Sequence, residues 1–381
     1  MSGTGKIRID PPALTEARRR RIDAAAGTLG VDGWLLTTSQ AVRTVTGAWS
    51  DEVDLFGEWF SPIVAVDSDV RCPAPPPNDA RLVDEVVDLL PERGTIAVDR
   101  LGPAALDRLA QLRPHLAVQD AAMLLGAAKV PRAPVELDAL VAAHTRTEAV
   151  LKSMLDLVVP GTTERDLTRE FSVRAAAAGL DHVHLDTVFS VLPRQAGDAP
   201  WARGPWEHRS PYRELTTDRV LAAGDHVAFD AGVGFQGYTA DVGWTLYVGD
   251  DGPSPDEVAL ASEWEEVARR VIDAARPGVT AAALREAALK GWDPARPVPW
   301  PYPLYVAHGV GTELAEPPFA GADFAPADEA AMVLCEGNVL MVEPYVWRAG
   351  AGGYRAEYCV VVRADGCEVV SSLPYATWPQ R

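Results

Sequence analysis

The sequence predicts an α+β protein of two domains, an alternating α/β domain followed by a domain of helices beside a mostly antiparallel sheet. The chain has 381 residues, and at roughly 100–200 residues per domain this length suggests two or three domains. Short apolar runs typical of strands alternate with helical segments over the first 130 residues. Beyond them, long helical segments precede two neighbouring strands and a last group of strands, which predicts the second architecture.

The first predicted domain covers residues 1–130. A helical pattern runs over 13–29, and apolar runs typical of buried strands lie at 33–38, 63–67 and 94–99. Because strands that alternate with helices form helix-flanked sheets, we predict an α/β domain here. We find no metal-binding or nucleophile pattern in this part of the sequence.

The second predicted domain covers residues 131–381. Its first helix is predicted over 135–157, and Thr162 or Thr163 is expected to cap the next one. Strands are predicted at 187–192, 227–230 and 239–248, with a glycine-rich turn over 232–237. The remaining predictions are helices over 255–275 and 280–290, then strands over 338–342, 357–362 and 368–371.

Charge and composition exclude several classes of partner. The formal net charge is −19, with 54 acidic against 35 basic residues. We therefore expect no nucleic acid partner and no docking to an anionic membrane, since both require a basic face. We expect a cytoplasmic protein, because we find no signal peptide and no apolar stretch of the ~20 residues that span a membrane. The four cysteines form no C-x-x-C pair and are expected to be reduced thiols.

Two aspartates, Asp230 and Asp241, lie on consecutive predicted strands. Aspartate is depleted in strands, so an aspartate that ends the apolar run 227–229 conflicts with its local context. Such conflicts are typical of functional sites. The alternative interpretation is a pair of solvated carboxylates beside a turn.

Three further residues continue this pattern. His308 is followed by a glycine, Glu343 closes an apolar strand, and Glu357 lies two positions after Arg355. A glutamate at the end of a buried strand is costly unless it is paired or bound to metal. Two of these features have an alternative interpretation without metal. His308 could simply be satisfied by hydrogen bonds, and Arg355 could form a surface ion pair with Glu357. Together, four carboxylates and one imidazole suit two divalent ions such as Mn, Fe or Co.

These residues resemble the pita-bread metallopeptidases, a family that includes prolidase, aminopeptidase P and methionine aminopeptidase. The resemblance covers roughly residues 135–371, and residues 1–130 resemble the family's creatinase-type N-terminal domain more weakly. It implies a C-terminal pita-bread fold, an antiparallel sheet flanked by helices. The segments that carry it are 224–232, 237–245, 308–311, 337–344 and 355–357.

The resemblance also implies roles for the individual residues. Asp230 would bind one ion, His308 and Glu343 the other, and Asp241 and Glu357 would bridge both. Manganese is expected first, with iron, cobalt or zinc as alternatives. Glu343 would in addition take a proton from the attacking water, which the paired ions hold as hydroxide. Arg355 would support the ligands and is, with Glu343, a candidate catalytic residue. A homodimer is expected.

The sequence departs from the family pattern at two places that face the substrate. The peptidases carry a second histidine seven residues after the histidine ligand, but this chain has Ala315 there, followed by Glu316. Another histidine is expected near Arg213, and the nearest one is His208. We therefore consider His208 a candidate catalytic residue. The candidate substrate-binding residues are Arg194, Trp201, Trp206 and Glu316.

Two functions follow from these residues. The first is a metal-dependent hydrolase resembling Xaa-Pro dipeptidase or aminopeptidase P, with a short peptide as substrate. The alternative is a lyase or hydrolase of the same fold that acts on a small non-peptide metabolite, because Ala315 replaces a catalytic histidine. A binding protein without activity is disfavoured by the five retained ligands. A substrate panel distinguishes the first two, and measurement of bound metal distinguishes an enzyme from a binding protein.

Overall fold

The computed structural model describes ten stretches of the chain in two compact units, residues 1–133 and 134–381. The described stretches are residues 7–9, 12–50, 64–66, 69–71, 79–181, 188–194, 216–291, 305–321, 325–348 and 350–378. Within them, no helix combines the length and the apolar character that a membrane span requires.

The first unit alternates helices and strands, as the sequence predicts. Its elements are β1 (Ile7–Ile9), α1 (Pro12–Leu29), β2 (Gly33–Leu36), α2 (Ser39–Thr46), β3 (Ala48–Ser50), β4 (Val64–Val66), β5 (Asp69–Arg71), α3 (Asp79–Val86), β6 (Arg93–Val98), α4 (Pro103–Leu112), β7 (His115–Asp120) and α5 (Ala122–Lys129). Five strands form a sheet in the order β5-β4-β2-β6-β7, in which β2, β6 and β7 are parallel. Strands β1 and β3 form a separate antiparallel pair.

Helices cover both faces of this sheet. Successive side chains of a strand point to opposite faces, so Trp34 and Leu36 pack with α1 and α2 while Leu35 packs with α3 and α4. Both clusters are buried, which explains why β2 is a continuous apolar run rather than an alternating one.

The second unit is larger and its sheets are antiparallel. Its elements are α6 (Pro134–Met154), α7 (Glu164–Ala177), β8 (Val188–Val191), β9 (His226–Phe235), β10 (Tyr238–Tyr247), α8 (Pro255–Ala274), α9 (Ala281–Leu289), β11 (Tyr305–Gly309), β12 (Glu316–Gly321), α10 (Pro326–Ala331), β13 (Val339–Val342), β14 (Tyr345–Arg348), β15 (Gly352–Arg355), β16 (Tyr358–Arg363) and β17 (Gly366–Val369). The predicted cap of α7 is confirmed, because the Thr163 hydroxyl accepts a hydrogen bond from the Asp166 N–H.

The described residues of this unit form three sheets. They have the strand orders β10-β9-β8, β12-β11-β13-β16-β17 and β14-β15. A bridge between Trp244 and Ala356 joins β10 to the turn between β15 and β16. The helices pack on these sheets through a large apolar core, where the rings of Phe171 and Phe229 lie 5.0 Å apart. The bridge brings Ala356, and with it the neighbouring Glu357, against the strand that carries Asp241.

The hairpin of β9 and β10 differs from the prediction. The expected turn over 232–237 is wrong, because β9 continues through Asp230 to Phe235 and pairs along its whole length with β10. Only Gln236 and Gly237 form the turn, and both have positive φ, which matches the twist of a two-residue hairpin. Asp230 consequently lies in the middle of a buried strand.

Candidate metal centre

Each of the two aspartates lies opposite a glycine in the β9–β10 hairpin. Asp230 pairs with Gly243, and Asp241 pairs with Gly232. This register puts both carboxylates on one face of the hairpin as diagonal neighbours. Both are buried, with 4% and 5% of their surface exposed. Because glycine has no side chain, each pairing leaves room beside the aspartate for its carboxylate.

His308 lies on β11, the neighbour of β13. Its Nδ1 donates a hydrogen bond to the Gly309 carbonyl at 2.9 Å, which fixes the ring and directs Nε2 towards the carboxylates. Nε2 lies 2.8 Å from Glu343 Oε1 and 3.5 Å from Asp241 Oδ2. Gly309 permits a close approach of strands, since a Cβ there would lie 2.6 Å from the Glu316 carbonyl oxygen.

The two glutamates follow buried chain segments. The Glu343 N–H, directly after β13, donates to the Val306 carbonyl at 3.0 Å and so fixes this residue beside β11. Glu357 lies between β15 and β16 and is fully buried. The Thr245 hydroxyl exchanges hydrogen bonds with the backbone of Arg355, at 2.9 and 3.0 Å. These contacts bring the β15–β16 turn against β10.

Arg355 places a positive charge among these carboxylates. Its guanidinium lies 2.7 Å from Glu357 Oε1 and 3.6 Å from Asp230 Oδ2, and it also contacts Glu343. The sequence reading of Arg355 and Glu357 as a surface ion pair is wrong, because both residues are buried.

The burial of so many acids changes their proton affinity. Burial, helped by the negative charge of Glu357, raises the pKa of Asp241 to about 7. Burial likewise raises the pKa of Glu343 to about 7, although the neighbouring His308 opposes the shift. For His308, burial alone would lower the pKa, but the charge of Glu343 and the hydrogen bonds to Asp241 and Glu343 raise it well above the usual value.

These residues fit a pair of divalent ions. Ligand atoms of Asp230, Asp241 and Glu357 all lie within 4.8 Å of one another. Buried Oδ1 of Asp241 and Oε2 of Glu357 accept no hydrogen bond from the described residues, so their lone pairs are available to a cation. Four carboxylates also exceed the two positive charges that Arg355 and a protonated His308 supply. The oxygen-rich set with one imidazole matches the ligand preference of Mn, Fe or Co.

The other predicted site residues lie in different surroundings. Glu316 is buried and pairs with Gly309, next to His308, whereas Ala315 is exposed. Arg194 forms an ion pair of 2.6 Å with Glu257 and donates a hydrogen bond to the Gly224 carbonyl. The remaining candidates fall outside the described residues, namely Trp201, Trp206 and His208.

Two residues that support the centre were missed in the sequence. A Cβ on Gly243 would lie 2.9 Å from Glu357 Cδ and 3.0 Å from Arg355 Nη1, so a larger residue there would displace these two side chains. Thr245 holds Arg355 from the same face of β10. A glycine inside a strand signals a close approach, and Gly243 follows Asp241 by two positions. That signal was present in the sequence.

Comparisons of the sequence and of the structure with known proteins all indicate the same family. The model of metallopeptidase family M24 matches residues 138–364. A probable dipeptidase PepE of Mycobacterium bovis is 29% identical over 243 residues, which are 63% of this chain and 58% of that protein. The Xaa-Pro dipeptidase of Pyrococcus furiosus is 25% identical over 241 residues, 61% of this chain and 60% of that protein. The chain thus spans less than two thirds of the length of these relatives.

A solved structure shows the same fold. The crystal structure of dipeptidase PepE from Mycobacterium ulcerans aligns with a TM-score of 0.76. The alignment covers 97% of this chain and 99% of that one, at 23% sequence identity.

Proposed function

We propose, from the premise that the chain belongs to metallopeptidase family M24 and has its pita-bread fold, that it hydrolyses dipeptides or other short peptides. The observation that carries this proposal is the buried group of Asp230, Asp241 and Glu357, with His308 and Glu343 against it. The relatives are a probable dipeptidase and an Xaa-Pro dipeptidase, which supports an amide bond of a short peptide as the target.

We assign all five residues as ligands of two divalent ions. When bound, the ions supply Lewis acidity that activates a water molecule and stabilises charge on the substrate carbonyl. His308 would use Nε2, because Nδ1 is held by the Gly309 carbonyl. We further propose manganese as the ion, a homodimeric assembly and a cytoplasmic location, all from the resemblance of the sequence to the family.

Residues of the chain itself are proposed to transfer the proton and to compensate the charge of the carboxylates. Glu343 is our candidate to accept the proton of the attacking water, because the resemblance of the sequence to the family implies this role and its buried carboxylate lies beside His308 in the centre. The Arg355 guanidinium contacts the carboxylates of both Glu343 and Glu357, and its positive charge offsets their mutual repulsion. The burial of the group removes competing water and strengthens each of these interactions.

The test combines metal analysis with a substrate panel. The metal-free protein is reconstituted separately with Mn, Co, Fe and Zn, and each product is assayed on Xaa-Pro dipeptides, other dipeptides and small carboxylated metabolites. We expect two ions per chain and hydrolysis of at least one dipeptide. A protein that holds two ions yet cleaves no dipeptide would contradict the proposal, and turnover by the metal-free protein would reject the assigned mechanism.

A further inference from the structure

Aromatic side chains lie behind the metal centre, on the opposite face of two strands that contribute to it. On β10, Gly243 and Thr245 face the centre, and Trp244 between them points the other way because successive residues of a strand alternate. In the same way, Tyr354 precedes Arg355 on β15. Trp244 and Tyr354 are both buried in the apolar core.

A single hydroxyl joins these two aromatic residues to the C-terminal segment, residues 373–378. The Tyr354 hydroxyl accepts a hydrogen bond of 3.0 Å from the Trp244 Nε1–H. It donates its own proton to the Tyr375 carbonyl, and the Thr377 carbonyl lies 3.2 Å away. These groups lie in the protein interior, where a donor or acceptor that loses its partner is costly.

Rings of the C-terminal segment pack on the same two aromatic residues. The ring of Tyr375 lies 5.3 Å from that of Trp244, and the ring of Trp378 lies 4.8 Å from that of Tyr354. Both pairs have the edge-to-face geometry that aromatic rings prefer. Trp378 also donates a hydrogen bond of 2.8 Å from Nε1 to the Glu257 carbonyl on α8. The segment is therefore fixed to the core while it contacts both strands.

The position of Arg355 depends on how these two strands are held. Thr245 directly follows Trp244, and Arg355 directly follows Tyr354. The Thr245 hydroxyl exchanges hydrogen bonds with the Arg355 backbone, and the Arg355 guanidinium contacts Glu357. Because neighbouring residues of a strand move together, a shift between Trp244 and Tyr354 would also separate Thr245 from Arg355.

Ring packing alone does not account for the hydroxyl of Tyr354. Tyr358, the first residue of β16, also packs against Tyr375, at 5.7 Å, but its hydroxyl donates to Glu265 on α8 at 2.7 Å. Phenylalanine at position 354 would fill the same space, yet it would leave the Trp244 N–H and the Tyr375 carbonyl without this partner. The hydroxyl of Tyr354 thus connects both strands to the C-terminal segment.

We propose that Tyr354 is a positioning residue of the metal centre, because its hydroxyl and the C-terminal segment together fix β15 against β10 and so place Arg355 among the carboxylates. This inference rests on the proposed function and its two ions. It gives the last part of the chain a role in metal binding from behind the ligands.

The experiment compares Tyr354→Phe with a matched variant, Tyr358→Phe. Each substitution removes one buried hydroxyl and keeps the ring, and each tyrosine lies next to a residue of the centre. Both variants should lower the melting temperature. Only Tyr354→Phe should weaken Mn²⁺ binding, by about tenfold, which is the lower end of the roughly 10–100-fold that supporting residues contribute. The electron paramagnetic resonance signal of free Mn²⁺ measures the affinity.

A second readout requires neither metal nor activity. The Arg355 N–H donates to the Thr245 hydroxyl at 3.0 Å, so hydrogen exchange of this amide reports the contact of β15 with β10. In the metal-free protein, we expect this exchange to be about tenfold faster in Tyr354→Phe than in wild type and Tyr358→Phe.

A further variant loosens the C-terminal segment itself. Trp378→Phe keeps an aromatic ring but removes the hydrogen bond to the Glu257 carbonyl. It should change both readouts in the same direction as Tyr354→Phe, and it takes the place of that variant if Tyr354→Phe does not fold.

The outcomes separate this inference from the proposed function. If Mn²⁺ affinity and Arg355 exchange in Tyr354→Phe equal those of Tyr358→Phe, Tyr354 has only a general structural role and the inference is overturned. If the wild type binds no ion, the proposed centre fails, while exchange in the metal-free protein still decides whether Tyr354 positions Arg355. If the wild type binds two ions but cleaves no dipeptide, the peptidase proposal fails and the Mn²⁺ affinities still decide the role of Tyr354.

Discussion

Arg355 supplies one positive charge to four buried carboxylates. Removal of one partner from such a buried group costs about 3–5 kcal/mol, because it leaves charges without compensation. The group is nevertheless incompletely neutralised by the chain itself, as the raised pKa values of Asp241 and Glu343 indicate. Divalent ions are the natural complement of this excess negative charge.

At the scale of single residues, Asp241 is the ligand whose loss should be most informative. Replacement Asp241→Asn removes a proposed bridging carboxylate but keeps the shape of the side chain. We expect the loss of at least one ion and of detectable turnover, with metal affinity reduced by more than the 10–100-fold that supporting residues contribute. Metal analysis after dialysis measures this. Glu148→Gln is the control for a lost buried charge, because Glu148 is also buried but accepts its hydrogen bonds from Ser372. Unchanged stoichiometry would refute the ligand assignment.

Proton release gives a second prediction for these residues. Because the raised pKa values of Asp241, Glu343 and His308 leave protons on the metal-free group below about pH 7, an incoming ion must displace them. Metal affinity should therefore rise as the pH rises towards and beyond 7, and activity should fall on the acid side. Calorimetric titration at pH 6 in two buffers of different ionisation enthalpy measures the protons released. Binding without proton release would contradict these pKa directions.

Ala315 gives a prediction about the substrate. In the peptidases that the sequence resembles, a histidine at this place donates a hydrogen bond to the substrate, and loss of such a donor costs about 10²–10³ in rate. We expect slow cleavage of every Xaa-Pro dipeptide by the wild type, below about 10⁴ M⁻¹s⁻¹ in kcat/KM. Ala315→His should raise this value, since position 315 is exposed and accepts a larger side chain.

The control for Ala315→His is Ala104→His, another exposed alanine, in the first unit. It should leave kcat/KM unchanged. An efficient wild type would mean that other donors compensate for Ala315, and the expectation of a changed substrate would then be wrong.

At the scale of elements, the pairing of aspartate with glycine across the β9–β10 hairpin shapes the centre. Gly243→Ala should displace Glu357 and Arg355, because the added Cβ meets both side chains. We expect weaker metal binding and a loss of about 1–3 kcal/mol in the free energy of unfolding, as overpacking typically causes. Metal titration and chemical denaturation measure the two effects.

Gly126→Ala is the matched substitution for Gly243→Ala. Gly126 lies inside α5, and a Cβ there would meet nothing within 4 Å. Alanine should stabilise this helix by up to about 1 kcal/mol and leave metal binding unchanged. If Gly243→Ala behaves like Gly126→Ala, the tight approach of Glu357 to β10 is not needed for binding.

The elements also show how far the sequence alone could lead. The α/β character of residues 1–130 and most helices of the second unit follow from apolar periodicity. The hairpin was mispredicted, because Gly232 and Gly234 read as turn residues although they are strand residues paired with Asp241 and Thr239. Strand β15 gave no clear apolar pattern, because three of its four residues are Gly352, Gly353 and Arg355. Register across strands depends on such pairings, which local patterns do not contain.

The residues of the centre were easier to predict than its geometry. Acids at the ends of apolar runs are costly, so Asp230 and Glu343 were recognisable one by one. The position of Arg355 among the carboxylates depends on the contact between the β15–β16 turn and β10, which joins residues more than a hundred positions apart. Only tertiary structure contains that information.

At the scale of the whole molecule, metal binding should stabilise the second unit selectively. Ions that bind the native state alone stabilise it by mass action, and the gain is greatest where the ligands lie. We expect hydrogen exchange to slow in β9, β10, β11, β13 and β16 after metal addition, and to remain unchanged in β2 and β6. Exchange measured with and without a chelator tests this, and equal protection of both units would contradict it.

The distance along the chain between the ligands has a consequence for biosynthesis. A ribosome adds about 5–20 residues per second, so Asp230 and Asp241 emerge several seconds before Glu357 is made. Until then the nascent polypeptide holds only part of the ligand set, and an incomplete set of oxygen donors binds divalent ions weakly. Metallation must therefore follow translation, and the ion acquired is chosen from the pool that the finished chain meets.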